Sequence, residues 1–313
     1  MFPLKITLSR EKLEKYIYIE VLVLCSVIFL ACAGLLADYY INSAKQKSQY
    51  DELSKLVQQH LPSSNINDTN KESNAPGSSN PAESVDPSEN TGSSENSGGT
   101  GNTVQVPTSK YTTVINPVTQ QEIAILTEYA PIYKLNHHLV GWIQIAGTRV
   151  NYPVLQTPDW ANYYLTRDFN GENSRHGAIY VNESANIQTP SDNVTIYGHK
   201  MRDGSMFASL HEYKKEDFFK AHPYISFDTI YDHYKYQILA VFMTTAGLET
   251  DFAYHTFVNG DMESFSEYVA KCKELSLYDT GVSASYGDKL ITLSTCEHTI
   301  DSGRFVVVAK RID

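Results

Sequence analysis

The sequence has few cysteines and no excess of basic residues. Four cysteines occur in 313 residues, and no Cys-x-x-Cys or paired Cys/His spacing connects them: they are Cys25, Cys32, Cys272 and Cys296. This pattern excludes a disulfide framework and the common zinc sites. The net charge of −11 also argues against the basic face that a nucleic-acid-binding protein needs. We therefore expect no metal, no cofactor and no nucleic-acid partner.

Long apolar runs are missing except near the N-terminus. One run covers residues 17–37 and is broken only by Glu20 and Ser26, and about 20 residues are enough for a helix to cross a bilayer. Basic residues precede this run and Asp38 follows it; the basic ones are Lys5, Arg10, Lys12 and Lys15. The positive-inside rule then predicts a single-pass cell-membrane anchor with residues 1–16 in the cytoplasm and the rest outside. A cleaved signal peptide is the alternative, although its apolar core would be shorter.

Large apolar side chains are almost absent from residues 62–109, which are rich in Ser, Asn, Gly, Glu and Pro. Such a segment cannot bury enough surface to offset its chain entropy, so it is predicted to be a disordered linker. Residues 38–61, with spaced leucines, are predicted to form a membrane-proximal stalk. The remaining residues, 110–313, are long enough for one folded domain.

Short β-branched and apolar runs dominate this domain and predict many strands. The predicted strands cover 141–145, 150–154, 177–181, 193–197, 234–242, 290–296 and 303–308. Helices are predicted near 129–136, at 206–212 and at 261–277. In the last of these, helical spacing places five side chains on one face, and Cys272 is predicted to be a buried core thiol: the five are Met262, Phe265, Val269, Cys272 and Leu275. This pattern is typical of a β-barrel or a sandwich.

The last two predicted strands are joined by a short connection, as in a hairpin. If they pair antiparallel, the end of the first strand lies beside the start of the second. Cys296 and Arg304 would then sit at the same rim of the sheet. A thiol beside a fixed positive charge is the outline of a nucleophile site.

Two histidines compete for the role of base. His199 directly follows the strand that ends at Tyr197, whereas His298 is two residues from Cys296. A side chain fixed at a strand end is better held than one on the same loop as the nucleophile, so the pattern favours His199. Most of the ten histidines are expected to be ordinary surface or core residues.

A cysteine, a histidine and an arginine together can perform acyl transfer. The thiolate attacks a carbonyl, and an imidazole takes the thiol proton and later returns one to the leaving amine. Arginine keeps its proton and can only donate N–H groups, to a carbonyl or to a developing oxyanion. From the residues alone, an inert extracellular β-domain remains the alternative.

The run 292–296 (Thr-Leu-Ser-Thr-Cys) with Arg304 and His199 resembles the signature of the sortases, membrane-anchored cysteine transpeptidases of Gram-positive bacteria. The run 197–210 and the long helix before the Cys296 strand resemble class B. The resemblance covers about 125–313. It implies a mainly β fold with helices (α+β): an eight-stranded sortase-type β-barrel, with an N-terminal helix and a long helix inserted before the nucleophile strand. It also implies Cys296 as nucleophile, His199 as general acid/base and Arg304 as substrate and oxyanion stabiliser.

The resemblance further implies a reaction and a substrate groove. A C-terminal sorting pentapeptide of a surface protein would be cut after its Thr, and the acyl group would pass from Cys296 to a peptidoglycan precursor amine. The implied groove residues are Ser294, Glu297, Thr250, Tyr254 and Leu165. Ser294 and Leu165 could instead be purely structural. Ala161 stands where some relatives would have a polar contact, which leaves the preferred motif open.

Three alternatives remain at this point. A pilin-polymerising sortase would use a pilin Lys as acceptor, but class C polymerases often carry a lid and a second C-terminal membrane helix, whereas this sequence closes on a strand. A wall-binding β-domain would not need the Cys, His and Arg set. A plain cysteine protease would share the nucleophile but lacks an evident pro-segment.

Overall fold

The computed structural model describes residues 10–61, 109–245, 252–297 and 302–313. These residues form two compact units, Met1–Asp51 and Glu52–Asp313. The predicted linker falls almost entirely on residues 62–108, outside the described residues, and remains a prediction.

The first unit consists of the greater part of one helix, α1 (Arg10–Gln59). This helix is long and apolar enough to cross a membrane, and its apolar side chains are exposed over the run predicted to lie in the bilayer. Ser26 donates its hydroxyl to the Leu22 carbonyl (2.8 Å). That polar group is therefore satisfied within the helix, as an apolar surrounding requires.

The second unit contains a closed β-barrel of eight strands in the order β10-β8-β7-β3-β4-β5-β6-β9. Most neighbours are antiparallel, but β4 with β5 and β6 with β9 are parallel. The barrel strands are β3 (Leu139–Gln144), β4 (Asn151–Leu155), β5 (Ile179–Val181), β6 (Asn193–Tyr197), β7 (Tyr224–Thr229), β8 (Lys235–Thr245), β9 (Leu290–Glu297) and β10 (Gly303–Arg311). The predicted eight-stranded barrel with helices is confirmed.

A hairpin and a short helix precede the barrel. The hairpin of β1 (Tyr111–Ile115) and β2 (Glu122–Leu126) leads into a 3-10 turn and then α2 (Ala130–Leu135). The Glu128 side chain is buried, and its carboxylate lies 3.1 Å from His233 Nε2; Asp228 lies 2.9 Å from Nδ1 of the same ring. Tyr129 donates its hydroxyl to Asp228 (2.7 Å). We call Glu128, Tyr129, Asp228 and His233 the His233 clamp; it ties this segment to the β7–β8 turn.

The helix predicted before the nucleophile strand is α4 (Met262–Leu275). Asp261 caps it by accepting from the Ser264 N–H (2.9 Å), the usual role of Asp at this position. Its buried face packs against β8 and β10 and consists of Phe265, Tyr268, Val269 and Cys272. Cys272 is fully buried, and burial raises the pKa of its thiol. Cys272 is thus a core thiol, as predicted.

Two helical predictions are wrong in detail. Met262 is 66% exposed, because it belongs to the first turn of α4 and lies outside the core cluster that the later turns build. The helix predicted from Met206 is instead a 3-10 helix at Ala208–Lys214. Met206 has φ of 55°, a left-handed conformation that a right-handed helix cannot include. α3 (Glu216–Ala221) follows this 3-10 helix.

Candidate active site

Three strand ends meet at one rim of the barrel. In the parallel pair β6–β9, Tyr197 lies opposite Ser294. His199 is two residues after Tyr197, and Cys296 is two residues after Ser294, so the two are at the same level of the barrel. In the antiparallel pair β9–β10, Cys296 is directly opposite Arg304. Because side chains two residues apart point to the same face, the barrel brings the His, Cys and Arg side chains together.

His199 is held at the strand end by the backbone of another segment. Its Nε2 lies 2.7 Å from the carbonyl oxygen of Leu165. A carbonyl oxygen can only accept, so Nε2 carries the proton of the neutral ring and Nδ1 is the nitrogen that can take another. A hydrogen bond with Cys296 and the Leu165 carbonyl both favour the charged ring, and together they raise the pKa of His199 against the effect of burial.

Cys296 is partly buried and its thiol is activated by its neighbours. The hydrogen bond with His199 lowers the pKa of Cys296; burial opposes this effect, and the positive charge of Arg304 adds to it. A lowered thiol pKa increases the thiolate fraction at neutral pH, and the thiolate is the nucleophilic form.

Arg304 presents N–H donors beside the thiol. Its Nη1 donates to the carbonyl oxygens of Gly303 (3.0 Å) and Ser302 (3.4 Å). A guanidinium group has five donors, so the contacts with described residues anchor one end and leave others for a bound carbonyl. A nucleophile, a base and fixed N–H donors within one site are the parts that acyl transfer requires.

These residues lie in a cleft of about 430 Å³. The floor comes from β5, β6, β9 and β10, and the walls from residues 162–165 and 254–255. The lining residues are Asn162, Leu165, Tyr180, Asn182, Glu183, Tyr197, Gly198, His199, Tyr254, His255, Ser294, Thr295, Cys296 and Arg304. The hydroxyls of Tyr254 and Ser294 lie 2.6 Å apart, which fixes one wall to the floor strand that carries Cys296.

Of the five groove residues predicted from the sequence, three line the cleft, one is buried outside it and one is not described. Ser294, Tyr254 and Leu165 line the cleft, and Leu165 is 41% exposed rather than part of the core. Glu297 is not among the lining residues: its side chain is 0% exposed and contacts Lys214 Nζ at 2.6 Å. Thr250, like the competing base His298, lies outside the described residues.

Several lining residues were missed by the sequence analysis. Tyr180 and Tyr197 are cross-strand partners in β5 and β6. Tyr197 ends a strand just before the candidate base His199, which was a usable signal, whereas Tyr180 stands on a different strand and gave none. Asn162 directly follows Ala161 and accepts from the Tyr180 hydroxyl (2.9 Å). Glu183 lies in the loop after β5 and gave no such signal, because only the fold brings that loop to the cleft.

Known proteins are similar to this chain in sequence. The sortase domain family model matches residues 143–312. Sortase B of Listeria monocytogenes is 38% identical over 187 residues, covering 59% of this chain and 74% of the relative. Sortase B of Staphylococcus aureus is 33% identical over 191 residues, covering 59% and 75%.

Solved structures of sortases B are also similar to this chain in fold. A Staphylococcus aureus sortase B–substrate complex superposes with a TM-score of 0.56 at 32% identity, covering 60% of this chain and 86% of that one. Sortase B from Bacillus anthracis in complex with AAEK1 gives a TM-score of 0.54 at 32% identity, covering 65% and 90%. The chain therefore belongs to the sortase family, and it is a cysteine transpeptidase of the sortase B type.

Proposed function

We propose that this sortase cuts a C-terminal sorting pentapeptide of secreted proteins after its Thr, and then transfers the acyl group to a peptidoglycan amine at the cell wall. The observation that carries the proposal is the convergence of Cys296, His199 and Arg304 in one open cleft.

In the first half-reaction Cys296 attacks the Thr carbonyl as a thiolate. The electron pair of the C=O bond moves onto oxygen, and the N–H donors of Arg304 stabilise that oxyanion. His199, protonated, gives its proton to the leaving amine as the C–N bond breaks. A thioacyl link to Cys296 remains, and the C-terminal fragment leaves.

In the second half-reaction an acceptor amine attacks the thioacyl carbon. Neutral His199 takes the proton of the attacking nitrogen, the C–S bond breaks, and Cys296 leaves as thiolate. A primary amine suits this step, and one solved sortase B structure is a complex with triglycine, a peptide with a free amino terminus. Water in place of the amine would give hydrolysis.

Four further residues are proposed to serve the substrate. Tyr254, Ser294 and Leu165 line the cleft. Leu165 is 41% exposed and can contact the pentapeptide directly, whereas Tyr254 and Ser294, each 2% exposed, shape the cleft through the contact between their hydroxyls. Thr250 is proposed on the resemblance alone. For Glu297 the buried contact with Lys214 favours an indirect role, in which it supports the strand end that carries Cys296.

The proposed location is the cell membrane. Helix α1 would cross it once, with residues 1–16 inside and the catalytic domain, residues 110–313, outside, joined by the stalk 38–61 and the linker 62–109. The apolar exposed run of α1 and the basic residues before it support this arrangement.

The test uses the full chain in detergent with quenched peptides that carry Asn-Pro, Ser-Pro, Pro-Pro and Leu-Pro sorting motifs. Each peptide is assayed alone, with triglycine and with a pilin-like Lys peptide. We expect amine-linked product on at least one motif, and Cys296→Ala should abolish it while circular dichroism and Tm stay unchanged, because Ala removes only the nucleophile.

Cys272→Ala is the matched control, since that thiol is buried in the core away from the cleft. Product formed by Cys296→Ala would contradict the proposal. Product with the Lys peptide alone would favour pilin polymerisation over wall anchoring.

A further inference from the structure

Directly beside the candidate catalytic residues lies a second polar cluster that the mechanism has not used. It is centred on His211, in the 3-10 helix Ala208–Lys214. The His211 side chain is 11% exposed. Three of its neighbours each follow a candidate catalytic residue in the sequence: Lys200 follows His199, Glu297 follows Cys296, and Phe305 follows Arg304.

Each of these neighbours contacts His211. Lys200 Nζ lies 3.3 Å from Nδ1, and Glu297 Oε2 lies 3.4 Å from the same nitrogen. The imidazole ring stacks on Phe305, with 4.7 Å between centroids and 26° between planes. In addition, Nε2 lies 3.0 Å from the carbonyl oxygen of Cys296 itself.

These contacts indicate which nitrogen of the His211 ring carries the hydrogen. The Cys296 carbonyl can only accept, so Nε2 carries the hydrogen, and the Lys200 ammonium can only donate, so Nδ1 offers its lone pair. This is the neutral form of the ring. Burial and the nearby Lys200 cation lower the pKa of His211, in agreement with that form. Glu297 finds its closer partner in Lys214, 2.6 Å away.

We propose that His211 is a positioning residue of the active site, which joins the ends of β6, β9 and β10 from outside the cleft and holds the Lys200 cation in place. Lys200 contributes to the lowered pKa of Cys296, and its amine is held by the His211 lone pair. This inference rests on the proposed function, because it assigns His211 to the same reaction.

The first experiment measures the rate of iodoacetamide alkylation at Cys296 against pH, read by mass spectrometry of the Cys296 peptide from the full chain in detergent. His211→Phe keeps a ring to stack on Phe305 but removes both nitrogens. We expect the midpoint of the alkylation profile to move up by about 0.2–0.5 pH unit, a small shift because Lys200 is the weakest of the influences that lower the pKa of Cys296. kcat should fall by about 10-fold with KM little changed, because the thiol is less well positioned.

Two further variants separate positioning from folding. His211→Gln supplies an amide N–H for the Cys296 carbonyl and an amide oxygen for Lys200, so it should restore most of the wild-type profile. His137→Phe, an exposed histidine outside the cleft, is the matched control and should change nothing. A lower Tm for His211→Phe with an unmoved alkylation midpoint would overturn the proposal and leave His211 a purely structural residue.

Lys200→Met alone keeps the test valid if His211→Phe folds poorly, and a double-mutant cycle with the two changes tests whether they act through one contact. Lys200→Met should raise the alkylation midpoint in the same direction, and the double variant should shift it no further than the larger single change. Fully additive shifts would contradict a shared contact. Because alkylation needs no peptide substrate, a wild-type enzyme without transfer activity would contradict the proposed function while leaving this comparison interpretable.

Discussion

At the Cys296 thiol two effects oppose each other. Partial burial favours the neutral thiol, whereas the hydrogen bond with His199 and the charge of Arg304 favour the thiolate. The net pKa of Cys296 is lowered, so the hydrogen bond and the charge together outweigh burial. The pKa of His199 is raised through the same contact. The two opposite shifts both favour the thiolate–imidazolium pair over the neutral pair, and in the proposed reaction that pair holds the nucleophile and the proton for the leaving amine side by side.

The hydrogen bond between His199 and Cys296 gives a way to test which histidine is the base. His199→Ala removes the largest influence that lowers the pKa of Cys296, so its alkylation profile should move to higher pH, and kcat should fall by about 10²–10⁴-fold. His298→Ala should change both quantities far less. Alkylation at Cys296 and steady-state kinetics on the preferred peptide measure the two effects, and equal losses in the two variants would overturn the choice of His199.

The convergence of Cys296, His199 and Arg304 was predictable from the sequence because each of them stands at the end of a strong strand pattern. Glu297 and Leu165 were harder. Glu297 continues β9 with its side chain buried against Lys214, a partner that no local pattern indicates. Leu165 looked equally suited to the core, but its carbonyl oxygen accepts from His199, and a backbone contribution leaves no trace in residue type.

Among the elements, strands with continuous β-branched runs were predicted to within a few residues, whereas two kinds of strand were missed. β7 has inward-facing Ile225, Phe227 and Thr229 alternating with more polar residues, a period-two signal that was present but is short and polar. The β1–β2 hairpin does carry β-branched and apolar residues, but only Val114, Ile125 and Leu126 of them are buried, and the hairpin was missed beside the predicted linker. The parallel pairing of β6 with β9, on which the site depends, joins segments far apart in sequence and follows from no local signal.

The His233 clamp predicts a stability effect that depends on pH. The carboxylates of Asp228 and Glu128 raise the pKa of His233 to about 10. Because the pKa of His233 is higher in the folded than in the unfolded protein, its protonated form stabilises the fold. This contribution is complete below the unfolded pKa of about 6.5, and it is lost as pH rises through the folded pKa of about 10. His233→Gln should lower Tm at pH 6 by roughly 2–4 °C and reduce the further loss of Tm on going to pH 10.

Thermal unfolding of the wild type and of His233→Gln at pH 6, 8 and 10 measures this difference. His137→Gln, at an exposed histidine, is the control and should follow the wild type. If His233→Gln and the wild type lost the same number of degrees between pH 6 and pH 10, the clamp would not be the source of the pH dependence.

For the whole molecule, the proposed topology makes a prediction that intact cells can test. With one epitope tag at each end, protease added outside should remove the C-terminal tag and spare the N-terminal one. Changing the four basic residues before the apolar run to Gln should reduce this asymmetry, because they set the orientation; these residues are Lys5, Arg10, Lys12 and Lys15. Protection of both tags in intact cells would contradict an external catalytic domain.

The parallel register between Tyr197 and Ser294 also sets when the proposed nucleophile and the proposed base come together. Pairing of segments so distant along the chain is slow, since much loop entropy must be lost before the contact forms. Until it forms, Cys296 has no His199 beside it and keeps the modest reactivity of an ordinary thiol. A newly synthesised chain thus passes through its unfolded period with an unactivated cysteine, and it acquires its sensitivity to oxidants and to stray acyl donors only as the barrel closes.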